Sequence, residues 1–192
     1  MADTVQSQNP SVRKPLTHER LLELLDYNPE TGVFTWKMTP PKGKGRTRHR
    51  PGSVAGSTDV KGYIKIGIDG KSHYAHRLAW FYVYGVWPSD EIDHISRKKN
   101  DNRIAFLREA TKRQQGFNSD AHSNSKSGIK GVHWNVKNQH WQACIRTADG
   151  RNHLGTFLTK EEAAQAYEAA AIRLHGEFAN PTKCASAPSN AS

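Results

Sequence analysis

One stretch constrains this chain more than any other: DEIDHISRKKNDNRIAFLREATKRQQGFN, from Asp90 to Asn118. A short apolar step at Ile92 leads to Asp93-His94, a basic turn-forming segment follows, and an Asp101-Asn102-Arg103 triplet precedes a helix-like run through Leu107. Strand end, polar loop and helix, in that order, can gather a carboxylate, an imidazole and an amide around one phosphate. Hydrolysing a phosphodiester needs a base to deprotonate water, a cation to offset the charge growing on the phosphoryl group, and in-line positioning. A histidine near its unperturbed pKa of about 6.5 can be neutral at working pH, and a base of this kind contributes roughly 10²- to 10⁴-fold. His94 is therefore the candidate general base. Asp93, facing the other way along a strand or turn, is the candidate hard-oxygen ligand for a divalent ion. Asn102 is placed to pin the loop, and Arg97, Lys98, Lys99, Arg103 and Arg108 surround it with phosphate-binding charge. Taken bare, an Asp-His pair also describes a buried core pair; the whole pattern is more specific.

Charge points to the same class of partner. Twenty-eight Lys and Arg against 18 Asp and Glu give a formal net charge of +10, and the pI is about 9.7. A polyanion is the expected partner, with a merely soluble basic protein as the bland alternative. No stretch approaches the roughly 18 consecutive apolar residues of a spanning helix, so a membrane is not expected. The N-terminal MADTVQSQNPSVRK lacks the apolar core of a signal peptide, and the expected location is cytoplasmic. Cys144 and Cys184 stand far apart, outside any C-x-x-C pair, which argues against a disulfide framework or a Cys-rich zinc site. A hydrophobic fraction of 35% over 192 residues favours small cores over one large one.

Along the chain, residues 1–15 are polar and aperiodic, a flexible lead. Thr17 sits where an N-cap would, and Leu21, Leu22, Leu24 and Leu25 give a short helix its apolar stripe before Asn28-Pro29. Val33 to Trp36 reads as a strand. Lys42, Lys44, Arg46, Arg48 and Arg50 recur at every second position of a Pro- and Gly-rich segment, which suits either tracking along phosphates or an ordinary solvated loop. Tyr63 to Ile68, an Asp69-Gly70 turn and Ser72 to Tyr74 make a hairpin. His76 to Tyr84 has helical spacing closed by Gly85, its aromatics belonging to a core rather than to a base-stacking platform.

A second unit follows a polar stretch at 119–127 that reads as a linker or capping loop. Ile129 to Trp134, Trp141 to Arg146 and His153 to Phe157 predict three short strands, with breaks at Lys137-Asn138 and Asp149-Gly150. Thr159-Lys160-Glu161-Glu162 is a capping box, and Ala163, Ala166, Tyr167, Ala170 and Leu174 line one face of the helix it opens. Small alanines let that helix lie close on a three-stranded sheet and leave the opposite face for recognition. The tail, 182–192, is expected to be disordered.

Family resemblance completes the reading. Ile92-Asp93-His94-Ile95, Asp101 to Ile104, Leu107 to Thr111 and Gln114 to Asn118, with the Gly62-Tyr63 hairpin and His76-Arg77-Leu78-Ala79 upstream, resemble an HNH endonuclease of the phage and intron homing type. That resemblance implies an α+β fold with a ββα-metal motif at 90–118 inside a nuclease domain at 16–118. It implies one divalent ion, Mg²⁺ or alternatively Mn²⁺, with His94 as base and Asp93 as ligand. Two positions depart from the pattern. Phe106 stands where the family has the Asn that orients the histidine, and Gln115 where a helical Asn completes the metal site. Gln115 offers the same amide oxygen on a longer arm, Asn118 lies one turn on, and Asn102 is a substitute for orienting His94.

Residues 128–181 resemble the DNA-binding domain of the plant APETALA and ethylene-response factors, through Gly128 to Val132, Trp141, Ile145-Arg146, Leu154 to Phe157 and Glu161 to Tyr167. Such a sheet enters the major groove of double-stranded DNA, and Lys130, His133, Trp134, Trp141, Arg146, Arg151 and His153 are the corresponding candidate contacts. Trp134 and Trp141 also suit a core. Cys144 replaces a usual acidic residue, so no sequence preference carries over. The expected molecule is a metal-dependent DNA endonuclease, favoured as a monomer. A DNA-binding protein or regulator with a degenerate HNH centre is the alternative, and a protein that binds an acidic partner protein is the third.

Overall fold

A computed structural model describes residues 15–38, 49–147 and 150–180. The basic run from Lys42 to Arg48, the lead up to residue 14, Asp149 and the expected disordered tail lie outside the described residues. The chain divides into two compact units, Met1–Leu107 and Arg108–Ser192, and the mixed helix and antiparallel sheet architecture is α+β.

The first unit opens on α1 (His18–Leu24), whose Thr17 side chain accepts a hydrogen bond from the Arg20 amide as an N-cap. The helix ends at Leu24. Leu25–Asn28, expected within the helix, forms strand β1 and pairs antiparallel with β2 (Val33–Trp36). Pairing wins because it buries Leu25 and Tyr27 on one face, against Phe34 and Trp36 of the same core. The Asn28 side chain accepts from the Glu30 and Thr31 amides at 2.9 and 3.0 Å, closing the turn. A second sheet orders β3 (Ser57–Thr58), β4 (Ile64–Ile68) and β5 (Lys71–Tyr74) antiparallel, with Asp69-Gly70 between β4 and β5. Without a loop, β5 runs into α2 (Ala75–Tyr84), which Gly85 caps in the left-handed conformation. Ile66, Ile68, Leu78 and Ala79 carry the sheet and α2 into one core with α1.

Strand β6 (Glu91–His94) leads to the polar loop, and a single 3-10 turn (Ile104–Phe106) to β7 (Leu107–Ala110). The run through Leu107 expected to be helical is thus a turn and the start of a strand. The Ile95 amide donates to the Phe106 carbonyl at 2.9 Å, a bond that ties the turn to the residue following β6. The division between units falls inside β7.

In the second unit, α3 (Lys112–Asn118) opens with a reciprocal capping box between Thr111 and Gln114. Three strands, β8 (Val132–Asn135), β9 (His140–Thr147) and β10 (Gly150–Phe157), form one antiparallel sheet in the order β10-β9-β8. Helix α4 (Lys160–His175), capped by Thr159 and Glu162, covers one face through Ala163, Tyr167, Ala170 and Ala171. Leu174, expected on that stripe, is 44% exposed. Gly131 lies at φ +73°, and a Cβ there would sit 2.2 Å from the Tyr167 ring, so only glycine lets the tyrosine seat. The polar stretch 119–127, read as a linker or capping loop, ends at a residue bonded into this unit. Ser127 is buried and its hydroxyl donates to the Val132 carbonyl at 2.6 Å. Among the described residues no helix is long and apolar enough to cross a membrane.

Candidate active site

Ile92, Asp93 and His94 are all buried at the end of β6. Consecutive side chains of a strand face opposite ways, so a carboxylate and an imidazole are both withdrawn from water on the two sides of one short strand. Burial lowers the His94 pKa from its ordinary value. A hydrogen bond with the Asn102 side chain and the charges of Asp93 and Asp101 pull it upward, and Lys99 adds to the lowering. The net effect favours a neutral ring at neutral pH, the protonation state a general base needs.

Asn102 is 1% exposed, and its position is set by elements far away in sequence. The Tyr27 hydroxyl donates to the Asn102 carbonyl at 2.7 Å. Gly32, at φ +72°, lies so close that a Cβ would stand 2.5 Å from the Arg103 nitrogen and 2.6 Å from the Asn102 carbonyl carbon. The β1–β2 turn is therefore a backbone cradle for the loop. Arg103 donates to both oxygens of Asp101 at 2.8 and 2.7 Å and lies over the Phe106 ring at 4.1 Å. Phe106, which replaces an orienting Asn in the resemblance, thus supports the loop by packing.

Of the five cations expected around this centre, Arg97 and Lys98 are exposed. Lys99 donates to the Lys61 carbonyl at 3.2 Å and lies over Tyr63. Arg103 is held by Asp101. Arg108 donates to the Glu177 carbonyl at 2.6 Å and covers Phe178 at 3.9 Å, inside the second unit. These last two guanidiniums hold the protein's own structure. The site also contains a residue that the sequence places in the family resemblance but not among the candidate site residues. His76, in the first turn of α2, is 7% exposed and its ring stands nearly perpendicular to that of His94, 4.9 Å between centroids. The His76-Arg77-Leu78-Ala79 motif marks the residue without giving it a role; the convergence of α2 on β6 does that.

The second unit presents a different kind of surface. Register places His133 opposite Gln142, Arg146 opposite Arg151 and Cys144 opposite His153, all on the face that α4 leaves uncovered, since Ala143 and Ile145 face the helix. His133 and Gln142 hydrogen-bond at 3.0 Å. Arg146 and Arg151 are both exposed, and like charges directly opposite on neighbouring strands repel, an arrangement that a bound polyanion relieves. Lys112 and Arg113 of α3, absent from the expected contacts, join His133, Arg146 and Arg151 in lining a cleft of about 710 Å³. Three expected contacts are placed otherwise. Alternation puts Trp141 and its partner Trp134 on the helix side, where Trp141 packs against the core. The Lys130 ammonium donates to the carbonyls of Gly116, Phe117 and Ser119 at 2.7, 2.8 and 2.8 Å, capping α3.

Gln115 and Asn118 lie on α3, Gln115 half-buried and Asn118 buried. Carboxylate and amide oxygens are hard donors, which suit Mg²⁺ or Mn²⁺ rather than a soft metal. Among the described residues no group of three or more His, Cys, Asp or Glu could hold a metal, so a site built on Asp93 needs amide or water oxygens beside the carboxylate.

Residues 73–117 match the model of the HNH endonuclease family. An uncharacterised HNH endonuclease of Acanthamoeba polyphaga mimivirus is 34% identical over 110 residues, covering 56% of this chain and 56% of that protein. An AP2-like ethylene-responsive transcription factor of Oryza sativa subsp. japonica is 34% identical over 119 residues, 57% of this chain and 18% of that factor. A second such factor, from Arabidopsis thaliana, is 36% identical over 84 residues, 43% of this chain and 14% of that factor. The chain therefore spans about half of the viral relative and less than a fifth of the plant ones. No solved structure matches. Residues 73–117 are thus similar to HNH endonucleases, and the chain is also similar to AP2-like ethylene-responsive transcription factors.

Proposed function

We propose that this protein is a metal-dependent DNA endonuclease of the homing type, in which the first unit carries the base and the second docks duplex DNA. The observation that carries this reading is the environment of His94: a buried imidazole biased to its neutral form, beside the Asp93 carboxylate and braced by Asn102. His94 takes the proton of the attacking water, while Asn102 holds the ring against rotation. Asp93 would hold a divalent ion, and that ion, when bound, would offset charge on the phosphoryl group. Arg97 and Lys98 engage phosphates flanking the scissile one. On the second unit Arg146 and Arg151, with His133 and His153, meet the duplex on the open sheet face.

A second reading, a DNA-binding protein whose HNH centre has lost activity, is favoured by Phe106 and Gln115 at the two departing positions. Nicking of supercoiled plasmid with Mg²⁺ or Mn²⁺ separates the two. The expected result is metal-dependent nicking that falls roughly 10²- to 10⁴-fold in His94→Ala while DNA binding persists. Binding without nicking in either metal would establish the second reading.

A further inference from the structure

We infer that His76, backed by Tyr63, is a positioning residue that sets the ring plane of His94, supplying the orientation that the missing Asn at position 106 cannot. The inference rests on the reading of His94 as general base. Four rings converge here from three elements and the residue ahead of a fourth: Tyr63 before β4, Tyr74 at the end of β5, His76 at the start of α2 and His94 at the end of β6. His76 meets His94 at 4.9 Å and 79°, and Tyr63 meets His94 at 5.9 Å and 49°. Behind them Tyr74 stacks on His76 at 5.3 Å and 19°, and Tyr63 touches both, at 5.5 Å to Tyr74 and 5.4 Å to His76. The His94 ring is thus clamped by two aromatic neighbours that are themselves locked against a third.

How His76 acts follows from what its polar atoms do. Its Nδ1 is buried with no hydrogen-bond partner, and burial, then the charges of His94 and Arg77, hold the ring neutral with a pKa of about 3. A neutral ring so placed works by its shape and its edge-to-face packing rather than by taking or giving a proton. The clamp also explains the tolerance for Phe106. An Asn at that position would fix His94 through a hydrogen bond. Here Asn102 supplies the hydrogen bond and His76 with Tyr63 supplies the steric limit on rotation about χ2, which is otherwise broad for histidine.

The test compares His76→Phe, which keeps a planar ring, with His76→Ala in the full-length chain. Two readouts are taken, single-turnover nicking and ¹⁵N-edited spectra of the His94 imidazole. In His76→Ala, kcat should fall about 10- to 100-fold with KM for plasmid unchanged, the scale expected when a reacting group loses its alignment. The His94 ring signals should broaden or shift to a mixed tautomer. His76→Phe should recover most of the rate and the sharp spectrum. An unchanged His94 spectrum and rate in His76→Ala would overturn the inference, as would a Phe variant no better than Ala. If His76→Ala does not fold, the Phe variant decides by the same two readouts, and loss of the native His94 spectrum in it overturns the inference. Should the native chain prove unable to nick DNA, the endonuclease reading fails, while the spectra still report whether His76 orients His94.

Discussion

His94 and the Arg146–Arg151 pair show two opposite uses of ionisable side chains in one chain. Around His94 the titratable groups are withdrawn from water: His76, Asp93 and His94 are 7%, 8% and 5% exposed. On the open face of the second sheet the charges stay hydrated and repel one another across strands. A buried site holds one protonation state and one geometry, which chemistry requires, at a cost in folding stability. A solvated charged face costs little to build and gives affinity that salt erodes. If the proposed reading holds, catalysis and docking should respond to different variables: pH and packing for the first, ionic strength for the second.

Acid should expose the largest contrast. His76 has a folded pKa of about 3 against an ordinary value of 6.5, and the His94 pKa is also lowered by burial. Between those values the unfolded chain binds protons that the folded chain excludes. Stability is therefore fully present above pH 6.5 and is lost as pH falls from 6.5 toward 3. For His76 alone the loss is at most about 5 kcal/mol. His175, lowered by burial as well, is only half-buried and contributes less. Amide hydrogen exchange followed from pH 7 to pH 4 should show α2 and β6 losing protection before α4 and β9. Loss of protection in the second unit first would mean that the His76 ring is hydrated in solution.

Gly32→Ala is the next largest effect, and it strikes the first unit through the backbone. Alanine at φ +72° is strained, and its Cβ would collide with the Asn102 and Arg103 main chain rather than with a movable side chain. A loss of about 3 kcal/mol is expected, measured by thermal or urea unfolding. Nicking by the surviving folded fraction should fall further than binding, because Asn102 moves and the sheet face does not. Equal losses of nicking and binding would show that the turn supports the whole chain rather than the loop.

Local signals made parts of both regions legible in sequence. Asp69-Gly70, the Thr17 N-cap and the Thr159-to-Glu162 capping box are each complete within a few residues, and each is found where expected. Leu25–Asn28 and Leu107 were beyond such reading, because a short apolar run takes its period from the partner it pairs with, and pairing is not local. Distance in sequence hid the contact of His76 with His94, and Tyr27 and Gly32 as well. Each reaches the His94–Asn102 centre from an element with an ordinary reason of its own to exist. In the second unit the strand and helix order was plain from spacing. Which side of the sheet Trp141 takes, and that Lys130 caps a helix, depend on register and on where α3 packs. Composition carries neither.

The smallest effects sharpen the comparison within the second unit itself, between two cations that sequence places together as DNA-binding residues. Arg151 stands exposed opposite Arg146. Lys130 donates to three main-chain carbonyls and to the Ser119 hydroxyl, the last at 3.2 Å. A cation at a helix C-terminus satisfies carbonyls that have no partner within the helix and opposes the negative end of the helix dipole. Lys130→Met should therefore cost about 1 kcal/mol of stability and leave the slope of log affinity against log salt unchanged. Arg151→Met should leave stability nearly untouched, or raise it slightly by removing the repulsion. It should also reduce that slope by about 0.9, the value for one phosphate fewer neutralised. Titration of labelled duplex at several salt concentrations, with thermal unfolding of the same samples, measures both quantities. If Lys130→Met lowers the salt slope while Arg151→Met does not, the ammonium leaves its cap to reach the phosphates, and docking would begin by freeing the end of α3.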